Sequence, residues 1–109
     1  MTQSQRPDAW FTVRCQASGD TLEVFVEGEL DLASRGRLPA VAEWRDQHFA
    51  SVVIDMVQLE FIDAAGLADI VAMSDAAAAE GLRLAVRGAR PHIRRVFEIT
   101  ELTGLLENE

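Results

Sequence analysis

The sequence predicts an α/β fold: a single domain on a mixed sheet of four or five strands, with three or more helices mostly on one face. Three observations carry that prediction. Two early runs alternate apolar and polar residues across a turn signal. A later run is apolar, short and suited to a buried strand. From there on, strand-like and helix-like segments alternate. With 109 residues, 49% of them hydrophobic, the chain suits one core.

Met1 to Asp8 is polar, contains Pro7 and is expected to be a flexible terminus, which leaves residues 9–109 as the domain. Trp10 to Cys15 alternates, with Phe11, Val13 and Cys15 on one face. Ser18-Gly19-Asp20 signals a turn, and Thr21 to Glu27 alternates again through Leu22, Val24 and Val26. The two runs are expected to pair as a hairpin. Gly28-Glu29-Leu30-Asp31 then leaves the second strand. Ser34 is expected to cap a helix running to about Gln47, with Leu38, Val41 and Trp44 inward and Pro39 distorting or delaying its start.

Ser51 to Asp55 is an apolar strand, expected to lie parallel to a neighbour and to be followed by a loop as far as Phe61. Helical spacing runs from Ala64 to about Glu80, placing Leu67, Ile70, Val71, Ser74 and Ala78 on the inner side, and Gly81 ends it. Leu82 to Arg87 alternates as a further strand. Pro91 suits the first turn of a helix with Ile93, Val96 and Phe97 inward, and Leu102 to Leu106 is expected to dock as a short apolar tail. This order implies a right-handed crossover in a mixed sheet.

Composition narrows the function classes. A net charge of −8 repels nucleic-acid phosphates and anionic lipids, so no direct nucleic-acid partner is expected. No apolar run approaches the roughly 18 residues of a membrane span and no signal peptide opens the chain, so membrane insertion is not expected either. Cys15 is the only cysteine. It excludes an intrachain disulfide, fits a reducing, cytoplasmic setting and is expected to be a buried, inert thiol. His48 and His92 have no metal-ligand spacing around them. Arg87, Arg90, Arg94 and Arg95 form a local basic cluster that reads as a solvated helix face, with anion or partner contact as the alternative. No phosphate loop, nucleophile elbow, zinc motif or catalytic constellation occurs, so no catalytic residue, cofactor or metal is expected and the chain does not read as an enzyme.

Three segments carry a family likeness: Gly28-Glu29-Leu30-Asp31 after a strand, Phe61-Ile62-Asp63-Ala64-Ala65-Gly66-Leu67 before a helix, and Arg95-Val96-Phe97-Glu98-Ile99-Thr100 followed by Leu102 and Leu105-Leu106. In this order and spacing, over about residues 10 to 107, the chain resembles the STAS domain, especially bacterial anti-sigma factor antagonists. The resemblance implies a signalling protein that acts in transcription regulation by binding an anti-sigma factor, commonly a GHKL-type serine kinase, and so releasing a sigma factor. It implies a docking surface at Asp31, Ser34, Asp63, Ala64, Ala65, Gly66 and Asp69. It also implies a switch in which the kinase phosphorylates a Ser or Thr directly after the motif aspartate. That position lies at a helix N-terminus, where backbone N–H groups favour an anion, and a phosphate there adds nearly two charges to the docking surface.

The chain departs from this pattern at the switch. Asp63 is present, but the phosphoacceptor position is Ala64 and the next residue is Ala65, so neither carries a hydroxyl. Three explanations remain open: an antagonist always competent to bind, an engineered block of phosphorylation, or drift to another STAS role. The alternative function is a small STAS subunit resembling the component of bacterial phospholipid-transport ABC systems that binds the ATPase. Nucleotide or small-ligand sensing at the helix start is a third reading. Asp63 also has a purely structural role available as a helix cap, and Gly66 as a site of close backbone packing.

Overall fold

In a computed structural model that describes residues 11–39 and 48–107, the alternating runs form the expected hairpin. β1 (Phe11–Ser18) and β2 (Thr21–Leu30) pair antiparallel from Phe11↔Gly28 to Ser18↔Thr21. Gly19 takes φ +61° at the turn, a conformation open to glycine because it has no Cβ to clash. β3 (Ser51–Ile62) lies parallel to β2, and β4 (Arg83–Arg87) lies parallel to β3, which gives a mixed sheet of order β1-β2-β3-β4. α1 (Ala64–Ala79) connects β3 to β4, and α2 (Pro91–Ile99) follows β4. The tail docks as expected: after a 3-10 turn at Thr103–Leu105, Leu106 bridges to Val86 and the Glu107 amide donates to the Val86 carbonyl at 2.8 Å.

One face of the sheet makes the core. Leu22, Val24 and Val26 of β2, Val52 and Ile54 of β3, and Val86 of β4 pack with Ile70 and Met73 of α1 and Ile93 and Phe97 of α2. Each such side chain, fully buried, contributes about 1.5–3 kcal/mol through the apolar surface it removes from water. The opposite face is polar at its centre. Arg87 donates from Nε to Asp55 at 3.1 Å and from Nη2 to Glu23 at 3.1 Å, joining three strands, while Arg14 lies 4.3 Å above the Phe25 ring. Partial burial lowers the Arg87 pKa, but the bonds to Asp55 and Glu23 outweigh that and hold it above the ordinary guanidinium value.

Several expectations are corrected. Among the described residues there are four strands and two α-helices, so neither the five-strand option nor a third helix is realised there. Ser34 does not open a helix. It closes a 3-10 turn, Leu32–Ser34, whose cap is Asp31, and residues 37–39 are not helical. The remainder of the expected helix, with Val41 and Trp44, lies outside the described residues, as do the N-terminal segment 1–8 and Trp10. β2 continues through Leu30 instead of ending at Gly28.

The loop expected after Asp55 is also strand. β3 runs unbroken to Ile62, but its pairing with β2 slips by one residue between Phe25 and Glu27 and again between Gly28 and Glu29. These bulges turn the period of two into a period of three, with Met56, Leu59 and Ile62 all buried. Past Asp55 this strand has no β4 partner, and side chains from the α2 entry serve its carbonyls: Arg90 Nε donates to Val57 at 3.0 Å, and His92 Nε2 lies 2.7 Å from the Glu60 oxygen. Arg87 and Arg90 are therefore engaged in bonds, not in a shared solvated face.

Cys15 shares its face with Phe11 and Val13 but is exposed, contrary to expectation. It sits on the outer strand, whereas the helices pack chiefly on β2, β3 and β4. The inner side of α1 is rotated from the predicted one: Gly66, Leu67, Ile70, Met73 and Ala77 are buried, Val71 and Ser74 half-buried, and Ala78 exposed. On α2, Ile93 and Phe97 are buried as expected and Val96 is half-buried. No helix among the described residues is long and apolar enough to cross a membrane.

Candidate functional site

The end of β3 and the end of β2 bring the predicted residues together. Asp63 leaves β3 in extended geometry, φ −117° and ψ −172°, its N–H donating to the Leu30 carbonyl at 3.3 Å. Its Oδ1 accepts from the Gly66 amide at 2.9 Å, satisfying one of the orphan donors in the first turn of α1. Replacing Asp63 with Ala removes that cap, and the expected cost is about 1 kcal/mol in a urea titration, with the fold retained.

The three residues that follow grade from surface to interior: Ala64 is exposed, Ala65 half-buried and Gly66 buried. Gly66 lies flat against Leu30, so the close-packing role holds. The face open to a partner is made by Ala64, part of Ala65 and the half-buried Asp63.

The loop after β2 forms the second wall. Asp31 Oδ1 accepts from the amides of Ala33 at 3.0 Å and Ser34 at 3.2 Å, and the Asp31 amide donates to Ser34 Oγ at 2.9 Å. Ser34 is 1% exposed and its hydroxyl also donates to the Asp31 carbonyl. It braces the loop from within, so its place in the expected docking surface is corrected: a partner cannot reach it. Leu32, by contrast, stands 64% exposed at the tip of this loop. Asp69 ties the two walls, its Oδ2 accepting from the Gly36 amide at 3.2 Å. Asp31, Asp63, Ala64, Ala65, Gly66 and Asp69 thus share one end of the molecule.

An adjoining groove was not predicted. It has a volume of about 650 Å³ and runs from Asp63 and Ala64 along Ala68, Val71 and Ala72 of α1 to Asp75, with Val96 of α2 and Thr100, the residue that caps it, opposite. The signal for it was present in alanines at 64, 68 and 72, four apart on one helical ridge. Val71, assigned to the core from its spacing, is a groove wall. Among the described residues no group of three or more His, Cys, Asp or Glu is placed to hold a metal ion.

Comparison with known proteins gives a family and a fold. The family model described as "Mlab, STAS domain" matches residues 13–107. No curated protein compared matches the chain. An anti-sigma factor antagonist from Mycobacterium paratuberculosis is similar over 95% of this chain and 90% of its own, with 24% identity and a TM-score of 0.78. The anti-sigma factor antagonist SpoIIAA in its unphosphorylated form is similar over 90% of this chain and 88% of its own, with 17% identity and a TM-score of 0.67. A sulfate transporter family protein from Wolinella succinogenes is similar over 84% and 79%, with 12% identity and a TM-score of 0.72.

Proposed function

The chain belongs to the STAS domain family, and on that premise we propose that it is an anti-sigma factor antagonist: a non-catalytic, cytoplasmic binding protein that docks on a GHKL-type anti-sigma kinase and so frees a sigma factor. One observation carries the reading. The start of α1 is a capped, outward-facing tip whose first residue, Ala64, is exposed beside the loop of Asp31 and Leu32. Two of its structural relatives are anti-sigma factor antagonists. Without a hydroxyl at 64 or 65, the tip binds without being switched off by phosphate.

The test mixes the protein with its cognate GHKL-type kinase and ATP. A stable complex on size exclusion and no phosphate transfer are expected. Ala64→Ser restores an acceptor at an exposed helix start and is expected to become phosphorylated and to lose the complex. Phosphate transfer to the unaltered chain would end the always-competent reading, and failure to form any complex would end the kinase pairing.

The missing hydroxyl and the Mlab description of the matching family model favour a second reading, a STAS subunit bound to the ATPase of a phospholipid-transport ABC system. A genomic neighbourhood with a permease and an ATPase, and co-purification with that ATPase, would select it over the first.

A further inference from the structure

The groove between α1 and α2 continues directly from the tip through Ile62, Asp63 and Ala64, yet nothing in the phosphoryl switch requires it. Its floor is apolar, built from Leu67, Val71, Val96 and Leu102. Its two charged lining residues are both carboxylates, Asp63 at one end of α1 and Asp75 near the other. They are twelve residues apart, about 18 Å at the rise of an α-helix. Among the described residues no basic side chain lines the groove. Ile99, between the lining residues Val96 and Thr100 in sequence, is 72% exposed.

We propose that this groove receives a basic amphipathic α-helix of the partner, with an apolar stripe on Val71 and Val96 and a cationic side chain at each end facing Asp63 and Asp75. The proposal rests on the binding-protein reading above and names the chemistry of its partner. A helix fits because the alanine ridge at 64, 68 and 72 lets another helix axis approach closely, and because about three turns span the distance between the carboxylates. Charge complementarity selects the sign. A second copy of this chain, net charge −8, would bring like charge to the same rim, and an anionic bilayer would be repelled.

The probe is a synthetic helix with leucines at i+3, i+4, i+7 and i+8 and lysines at i and i+11, titrated by fluorescence anisotropy at low salt. Binding is expected to weaken about tenfold when both lysines become glutamates, as two partly exposed ion pairs would dictate. Asp75→Lys is expected to restore part of that loss for a peptide carrying glutamate at i+11 alone. Ala68→Trp, at an exposed position, fills the groove and is expected to abolish peptide binding with an unchanged circular dichroism spectrum. The proposal is overturned if the two peptides bind alike or if Ala68→Trp binds as tightly as the parent chain. It is also overturned if self-association by light scattering, or sedimentation with anionic vesicles, is what Ala68→Trp removes. The anti-sigma kinase provides the separating measurement. A kinase complex that survives Ala68→Trp removes the groove proposal and leaves the antagonist reading intact. Absence of a complex with the parent chain removes the antagonist reading, while the peptide titration still decides the groove.

Discussion

Gly66→Ala is expected to destabilise the domain by about 3 kcal/mol, lowering Tm by on the order of 12–20 °C in a thermal melt. Two effects of opposite sign compete at this position. Alanine is the better helix former by about 1 kcal/mol, so propensity alone predicts stabilisation. A Cβ on Gly66, however, points into the backbone of β2: it falls 2.7 Å from the Leu30 carbonyl carbon and 3.0 Å from its Cγ, and deeper still into the carbonyl oxygen. Backbone cannot rotate aside as a side chain can, so α1 must lift. Lifting it stretches the Asp63 N–H to Leu30 bond and carries the capped tip away from the Asp31 loop. Sterics therefore win, and loss of partner binding should accompany loss of stability. A Tm that rises, as propensity would have it, would show that α1 and Leu30 are not in contact in solution.

Phe97→Ala carries the other large effect, an expected loss of about 3–5 kcal/mol in urea denaturation. The ring is fully buried, and with Ile93 it is one of two buried side chains of α2. At nine residues that helix is too short to persist unaided in water, so its order comes from these contacts. Truncation leaves a cavity and loosens the wall that Val96 and Thr100 supply to the groove. Hydrogen exchange should therefore quicken across Ile93–Ile99 more than across α1. A loss below about 1.5 kcal/mol would mean that α2 is held chiefly by its tail and by the bonds of Arg90 and His92.

Local rules made much of this fold readable. The hairpin follows from strict alternation around Gly19, α1 from the aspartate before a helical run and Gly81 after it, and α2 from Pro91. Each of these signals acts within a few residues of its effect. What escaped reading depended on distant neighbours. The second half of β3 looked like a loop because its bulges are set by pairing with β2, which no local window contains. Ser34 suits the start of a helix because its hydroxyl can serve as an N-cap. It is in fact the third residue of a turn begun by Asp31, and its burial comes from packing around it. Cys15 kept its predicted face, but exposure depends on how far the helices reach across the sheet. At the site, the tip was legible from Asp63 and the residues after it. The groove beside it was not, because Val96 and Thr100 meet Ala68 and Val71 only once α2 has folded back.

The paired slips in β3 set a rule for lengthening and shortening this chain. Each slip adds one residue to β3 against β2 and absorbs it in a bulge, so inward facing follows the β2 partners through Met56, Leu59 and Ile62, and Asp63 emerges beside Leu30. Deleting one residue between Met56 and Glu60 is therefore expected to remove one bulge and leave Ile62 opposite Leu30, and deleting two to remove both, the tip keeping its aim in either case. Shortening of this stretch by one or two residues is therefore expected to be viable, a tolerance for evolutionary drift that no individual side chain expresses.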